Sequence, residues 1–442
     1  MASFEVVSIP EPGLGNSSHL IDLGDGSALV IDPARDPRPY LQVARTRRLQ
    51  IRYVAETHLH ADFVSGGREL VAQGAHLLAP RASQLAHEYR ALEPADEVMV
   101  GDLTLQAVAS PGHTPEHLAY LIFDGPAPLV LFSGGTLMVG GVARPDLVAP
   151  ELTIPLAREA YRSVRKLLTS LPDEVEVRPT HGGGSFCSSA GAPPALTSNI
   201  GRERAGHPVM RAADEESFVA SLLAGLGTHP KYFNRLREVN QRGPRVYGEE
   251  LPQLTPLSRS DLGDMTVIDV RSPERFASGH ISGSISIALR DQFATWLGWL
   301  IEPSEHLAFV MDPEQSEREL VRQALNVGFE NLAGRISIDD WTATGGPLEA
   351  LPLIPPEGIA PDALLLDVRQ RSEWERGHLP SALHVELGEL SSSSSLEPGM
   401  VVHCEHGPRA MTAASLLART GNKPAAVTSG SYEEIGRLRP ST

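Results

Sequence analysis

One stretch of this 442-residue chain occurs twice. Val267-Ile-Asp-Val-Arg-Ser-Pro-Glu-Arg-Phe-Ala-Ser-Gly-His-Ile281 aligns without a gap on Leu365-Leu-Asp-Val-Arg-Gln-Arg-Ser-Glu-Trp-Glu-Arg-Gly-His-Leu379, at an offset of 98 residues. That spacing is too long for a solenoid unit and suits a duplicated small domain. Each copy reads as strand, polar turn, short helix, second strand and helix, which is α/β architecture around a mostly parallel sheet. Pro352 to Pro361 carries four prolines and reads as a stiff linker between the copies. Ser391 to Ser395 is a serine run and reads as a mobile surface loop.

The copies leave roughly the first 245 residues for something else. Boundaries of 1–245, 246–350 and 351–442 follow, three domains each large enough to bury a core at ~150 residues per domain. With 38 Lys plus Arg against 55 Asp plus Glu, the formal charge of −17 repels a phosphate backbone and argues against nucleic-acid partners. No apolar run of ~18 residues is present to cross a bilayer, and the first residues lack the pattern of a secretory signal. The expected location is cytoplasmic. The only cysteines are Cys187 and Cys404, far apart, so a disulfide framework is excluded.

In the first segment, Phe4–Ile9, Ser27–Asp32, Arg52–Glu56, Leu103–Val108 and Leu129–Phe132 read as strands. Its polar, chemistry-bearing residues repeatedly follow the C-terminal end of such a strand, where rigid scaffolds carry their sites. Thr57-His58-Leu59-His60-Ala61-Asp62 places two histidines at i, i+2, one face of an extended stretch, able to chelate one ion. His113 in Ser-Pro-Gly-His-Thr and His181 in Pro-Thr-His-Gly-Gly-Gly sit beside glycines that let the backbone approach an ion. An alternative is that all are ordinary strand-end histidines.

Together, Thr57 to Asp62, Ser110 to Thr114, Gly140-Gly-Val-Ala-Arg-Pro-Asp146 and Pro179 to Gly182 resemble the metallo-β-lactamase superfamily, and within it the persulfide dioxygenase group. The resemblance implies an αββα sandwich and one Fe(II) held by His58, His113 and an aspartate. Two positions depart from the pattern. The first motif ends in Phe63 where the family has histidine, and Gly134-Gly135-Thr136 stands where the family reads Gly-Asp-Thr. Losing the carboxylate at 135 removes an anionic ligand, and losing the histidine at 63 argues against a second metal and a binuclear hydrolase. What remains is a neutral set, His58, His60 and His113, expected to hold Fe(II), with zinc physically possible. Asp62 is expected to orient the ring of His58 or His60, Arg144 to bind a carboxylate of a glutathione-like substrate, and His181 to remain as a hydrogen-bonding remnant. Cys187 reads as a packed small residue.

Val401-Val-His-Cys404-Glu-His-Gly-Pro-Arg409 ends a strand in cysteine and enters a helix from Met411 to Arg419. Backbone N–H groups, the helix N-terminus and Arg409 would favour a thiolate, and the same cradle would hold an anionic persulfide. This segment resembles the rhodanese sulfurtransferases, which implies catalysis by Cys404 and Arg409, with Asp367 and Arg369 bracing the fold. The first copy has Phe309 to Arg318 in the corresponding place, acidic and without cysteine, and resembles an inactive rhodanese domain whose work is packing.

The chain as a whole is similar to persulfide dioxygenase–rhodanese fusions. Expected partners are low-molecular-weight persulfides and thiols, thiosulfate or sulfite, and O2, in a monomer or homo-oligomer. Two rivals stand beside this reading. The first domain could be a metal-free scaffold for the sulfurtransferase, or a mononuclear zinc thioester hydrolase.

Overall fold

The computed structural model describes residues 4–188, 195–392, 396–421, 424 and 426–438. It divides into two compact units, Met1–Leu251 with Arg322–Gly328, and Pro252–Val321 with Phe329–Thr442.

The first unit is built on two six-stranded mixed sheets. One runs Glu5–Glu11, Asn16–Asp22, Ser27–Ile31, Gln50–Ala55, His76–Pro80 and Arg90–Leu92 in spatial order. The other runs Ser198–Asn199, Glu176–Pro179, Ala127–Gly134, Leu118–Asp124, Leu103–Ala109 and Glu97–Val100. Facing side chains such as Ile21, Leu29, Ile31, Leu105, Tyr120 and Phe132 fill the space between them. The helix Arg38–Arg47 lays Tyr40 and Ala44 on the outer face of the first sheet, and the helix Thr153–Ser170 lays Ala157, Val164 and Leu168 on the outer face of the second. This is the αββα layering expected. Ser27–Ile31, read as a continuous apolar run, is buried along its whole length because it is covered on both faces.

Four strands end at one rim of the sandwich. Ser27–Ile31 runs into Asp32, Gln50–Ala55 into Glu56 and the His58–Asp62 loop, Leu103–Ala109 into His113, and Glu176–Pro179 into His181. The rim collects polar groups because strand ends release backbone from the ladder there.

The second unit contains two five-stranded parallel sheets of identical order. The first runs Thr255–Pro256, Leu332–Ile336, Leu307–Val310, Thr266–Asp269, Ile285–Ser286, and the second runs Leu353–Ile354, Ala426–Thr428, Val401–His403, Leu365–Asp367, Ala382–His384. The repeated residues have a physical reason. Arg369 Nε and Nη2 grip Asp367 at 2.7–3.0 Å while Nη2 donates to the Gly377 carbonyl at 2.8 Å; Arg271, Asp269 and Gly279 repeat the arrangement. The histidine of each Gly-His stacks on the aromatic ring four residues earlier, His280 on Phe276 at 3.9 Å and His378 on Trp374 at 3.6 Å between centroids. Asp367 and Arg369 therefore brace the strand-to-helix turn, as read from the sequence.

The proline-rich segment is not a linker throughout. Leu353–Ile354 pairs in parallel with Ala426–Thr428 as an edge strand, and the Val427 N–H donates to the Pro352 carbonyl at 2.8 Å. Proline is tolerated there because an edge strand has one unpaired side. Of the serine run, residues 393–395 lie outside the described residues. Among the described residues no helix is long and apolar enough to cross a membrane.

Candidate functional site

Asp32 organises the rim of the first unit. Wholly buried, it accepts hydrogen bonds from the Thr57 N–H and the Thr57 hydroxyl, both at 2.7 Å, and from the Thr180 hydroxyl. With its one proton given to Asp32, the Thr57 oxygen accepts from His58 Nδ1 at 2.8 Å, which leaves the His58 Nε2 lone pair facing inward. His60 Nε2 donates to Glu56 at 2.9 Å and lies 3.3 Å from Asp32, so its Nδ1 faces the cluster. Burial alone would lower the His60 pKa, but the charge of Asp32 and the hydrogen bonds to Asp32 and Glu56 outweigh it and raise it. His113 Nδ1 donates to the Arg144 carbonyl at 2.7 Å, leaving its Nε2 inward. His181 places Nδ1 at 3.0 Å from Asn16 Oδ1 and 3.3 Å from Asp62, and Nε2 at 3.4 Å from His58 Nε2.

Among the described residues, His60 Nδ1, His113 Nε2 and both oxygens of Asp62 are buried without a hydrogen-bond partner. Orphaned polar atoms are costly in a core, and several converging on one point fit a cation. The ligand atoms of His58, His60 and His181 lie within 4.8 Å of one another, and so do those of His113, His181 and Cys187. His181, expected as a remnant, thus belongs to both groups, and His58 and His113 face each other with centroids 4.9 Å apart. Burial first, then the neighbouring imidazoles, pushes the His58 and His113 pKa values well below the ordinary range. Neutral imidazoles are the form that ligates a metal.

Phe63 is buried and stacks on His60 at 4.2 Å between centroids. Gly134 and Gly135 form a cradle for two rings. A Cβ on Gly135 would lie 2.6 Å from His113 Cδ2, and one on Gly134, whose φ is +55°, would lie 2.2 Å from His117 Nε2. His117, missed in the sequence, accepts the Gly135 N–H at 3.0 Å, pairs with the Ser110 hydroxyl at 2.9 Å and stacks on His58 at 4.9 Å.

Arg144 does not sit where a substrate carboxylate could use it. Its buried guanidinium is spent on Asp146 (2.7 and 2.8 Å) and the Gly227 carbonyl (2.8 Å), so its role is to fix the loop whose carbonyl orients His113. Asp62 stands beside His181 rather than His58 or His60. Cys187 is wholly buried; burial first, then the Asp62 charge, pushes its thiol pKa well up.

In the second unit, Val401–His403 ends at Cys404, and the helix Pro408–Arg419 begins three residues beyond Glu405. Gly407, at φ +92°, turns its N–H onto Cys404 Sγ at 3.1 Å, a conformation glycine adopts without strain. Arg409 does not point its charge solely at the sulfur. It forms a two-pronged bond to Glu373 at 2.5 and 2.8 Å, which anchors the loop to the helix Arg371–Arg376. In the first copy, Asp312 pairs with Arg275 at 2.9 Å instead of offering a nucleophile.

The model of the metallo-beta-lactamase superfamily matches residues 12–181, and that of the rhodanese-like domain matches residues 257–342 and 357–437. A hydroxyacylglutathione hydrolase from Pseudomonas putida (strain GB-1) is 31% identical over 212 residues, 44% of this chain and 81% of that one. A second, from Methylobacillus flagellatus, is 37% identical over 122 residues, where the alignment spans 27% of this chain and less than half, 46%, of that protein's length. The persulfide dioxygenase ETHE1, mitochondrial, of Homo sapiens is 27% identical over 192 residues, 43% of this chain and 68% of that one. A crystal structure of a metallo-beta-lactamase from Staphylococcus aureus superposes with a TM-score of 0.69 at 27% identity, covering 76% of this chain and 99% of that one. With its sandwich, its rim of buried histidines and these matches, the chain belongs to the metallo-beta-lactamase superfamily and carries rhodanese-like domains behind the superfamily domain.

Proposed function

We propose that the chain is a two-centre sulfur enzyme: a persulfide dioxygenase in the first unit, acting on glutathione persulfide or a similar small persulfide, and a sulfurtransferase at Cys404 in the second. The observation that carries the sulfurtransferase centre is the Cys404 loop, where a buried sulfur at a strand end takes the Gly407 N–H at the start of a twelve-residue helix. Such a cradle stabilises negative charge on sulfur, as thiolate or as persulfide. In the transfer step the Cys404 thiolate attacks the outer sulfur of thiosulfate. A sulfur–sulfur bond forms on Cys404, the bond to sulfite breaks, and sulfite leaves with the electron pair. A thiolate acceptor then attacks the outer sulfur of that persulfide and regenerates the Cys404 thiolate.

For the first unit, a bound divalent cation would supply Lewis acidity and, as Fe(II), a means of using O2; zinc would supply the first alone. The inward Nε2 lone pairs of His58 and His113, the inward Nδ1 of His60 once its proton is given up on binding, and His181 beside them are the groups that would hold it. Asp32 and Glu56 fix His60, and the Arg144 carbonyl fixes His113. Overall, one persulfide, one O2 and one water give one thiol, one sulfite and two protons. The absence of histidine at 63 and of a carboxylate at 135 weighs against a binuclear hydrolase, although the hydrolase relatives keep a mononuclear zinc thioesterase in view.

The test for the second centre is thiosulfate-to-thiol transfer with mass spectrometry of the protein. Wild type should carry one added sulfur on Cys404, and Cys404→Ser should lose transfer while keeping its circular dichroism. Full transfer by Cys404→Ser would refute the assignment.

A further inference from the structure

We propose that Cys187 is the anionic ligand of the cation held by the histidine cluster, taking the part left open by the missing carboxylate at Gly135. This rests on the reading that the cluster holds a divalent cation, and it goes further by naming a sulfur donor.

In the sequence Cys187 is a lone cysteine in a glycine- and serine-rich loop and carries no spacing signal beyond packing. The fold gives it a different setting. Its sulfur lies within 4.8 Å of the ligand atoms of His113 and His181. One strap orients thiol and imidazole together: the Arg144 N–H donates to the Cys187 carbonyl at 2.7 Å, while the Arg144 carbonyl receives the His113 Nδ1 proton at 2.7 Å. The Cys187 N–H is tied to the Ser185 hydroxyl at 3.1 Å, so the residue is held from both sides of its backbone. Independent of the cysteine, two neighbours call for a cation. His113 is 1% exposed with an orphaned Nε2, and Asp62, 1% exposed, has among the described residues only the His181 ring, at 3.3 Å, to pair with its charge. Cys187 itself is 0% exposed, so no solvent competes for the sulfur.

Without the thiolate no anionic group ligates the ion directly and its charge is met only by carboxylates behind the imidazoles, Asp32 and Glu56 on His60 and Asp62 on His181, whereas a thiolate cancels one charge at the ion itself. On binding, the Cys187 S–H bond breaks, a sulfur–metal bond forms and the proton leaves to solvent. A thiolate beside imidazoles also shifts preference toward softer ions than an all-oxygen or carboxylate face would.

The experiment is a cobalt(II) titration of the full-length, metal-free chain, read by absorption. Thiolate bound to cobalt gives an intense near-ultraviolet charge-transfer band that imidazole and carboxylate do not. The chain has two cysteines, so the Cys404→Ser protein assigns the band without touching the site. Wild type and Cys404→Ser should both show it at one equivalent. Cys187→Ser should lack the band and bind cobalt at least about tenfold more weakly, since even indirect partners of a ligand are worth that much. Cobalt uptake with no thiolate band in Cys404→Ser overturns the Cys187 assignment and leaves the histidine site standing. No uptake by Cys404→Ser at all overturns both.

Discussion

Restoring an aspartate at Gly135 looks, from the sequence, like the simplest way to strengthen metal binding, and the structure predicts that it will instead loosen the domain. A Cβ at 135 falls 2.6 Å from His113 Cδ2, 2.9 Å from its Cγ and 3.1 Å from the Ala143 Cβ. The ring must retreat by about an ångström to reach ordinary carbon–carbon contact. It is not free to do so, because its Nδ1 proton is committed to the Arg144 carbonyl at 2.7 Å. Overpacking of this kind costs about 1–3 kcal/mol. Losing the hydrogen bond adds about 1 kcal/mol, for roughly 2–4 kcal/mol in all. For a unit of this size that lowers the melting temperature by roughly 5–15 °C. The molecule provides its own control, since all four tryptophans (Trp296, Trp299, Trp341 and Trp374) lie in the second unit. In Gly135→Asp, the first unit's share of the far-ultraviolet circular dichroism should melt earlier while the tryptophan transition stays put. Removing the obstructing ring in Gly135→Asp/His113→Ala should recover part of the loss. An unshifted dichroism transition together with tighter iron binding in Gly135→Asp would refute the packing argument.

Other outcomes follow from the second unit and from the Asp32 hub. The Glu373 carboxyl is held below its ordinary range: burial would raise its pKa, but the Arg409 hydrogen bond and charge outweigh burial. A depressed folded-state pKa gives stability that is present above the unfolded value, 4.5, and is lost as the pH falls below it. The wild-type tryptophan unfolding midpoint should therefore drop through that window more steeply than that of Glu373→Gln; parallel curves would contradict the pairing. Arg409→Ala should lower both transferase activity and stability, the latter by about 1–3 kcal/mol from the unpaired Glu373, without abolishing the sulfur adduct on Cys404. Asp367→Asn should cost about 3–5 kcal/mol in the tryptophan transition, because it strands the buried Arg369 guanidinium. Asp32→Asn should disturb the rim more than the core, since its amide presents a donor where Thr57 and Thr180 donate. Metal uptake should fall with far-ultraviolet dichroism largely preserved, and undiminished uptake would count against the hub.

What the sequence revealed depended on how local each signal was. The duplicated domain was legible because Asp-Val-Arg and Gly-His each act within a few residues, Arg369 on Asp367 and His378 on Trp374. His58, His60, His113 and Cys404 were legible as candidates because their neighbours fix a strand end or a loop in place. Asp32 was not, because its partners are 25 and 148 residues away and only the sheet brings them together. His117 lay hidden for a similar reason: its meaning is the space vacated at Gly134 and Gly135 on a neighbouring strand. Arg144 was misread because a guanidinium looks available until the fold supplies Asp146 and the Gly227 carbonyl to occupy it. The proline-rich stretch misled for the opposite reason. Composition suggested a spacer, whereas Leu353 and Ile354 between the prolines complete a sheet edge.

The central claim, oxidation of a persulfide by the first unit and sulfur transfer by the second, meets its most direct test in an oxygen electrode. The full-length chain, loaded with Fe(II) and given glutathione persulfide, should consume one O2 per persulfide and produce sulfite. Cys404→Ser should keep that uptake, and His58→Ala and His113→Ala should lose it with their folds intact. No O2 uptake by the iron-loaded wild type, or uptake unchanged in His58→Ala and His113→Ala, would contradict the account.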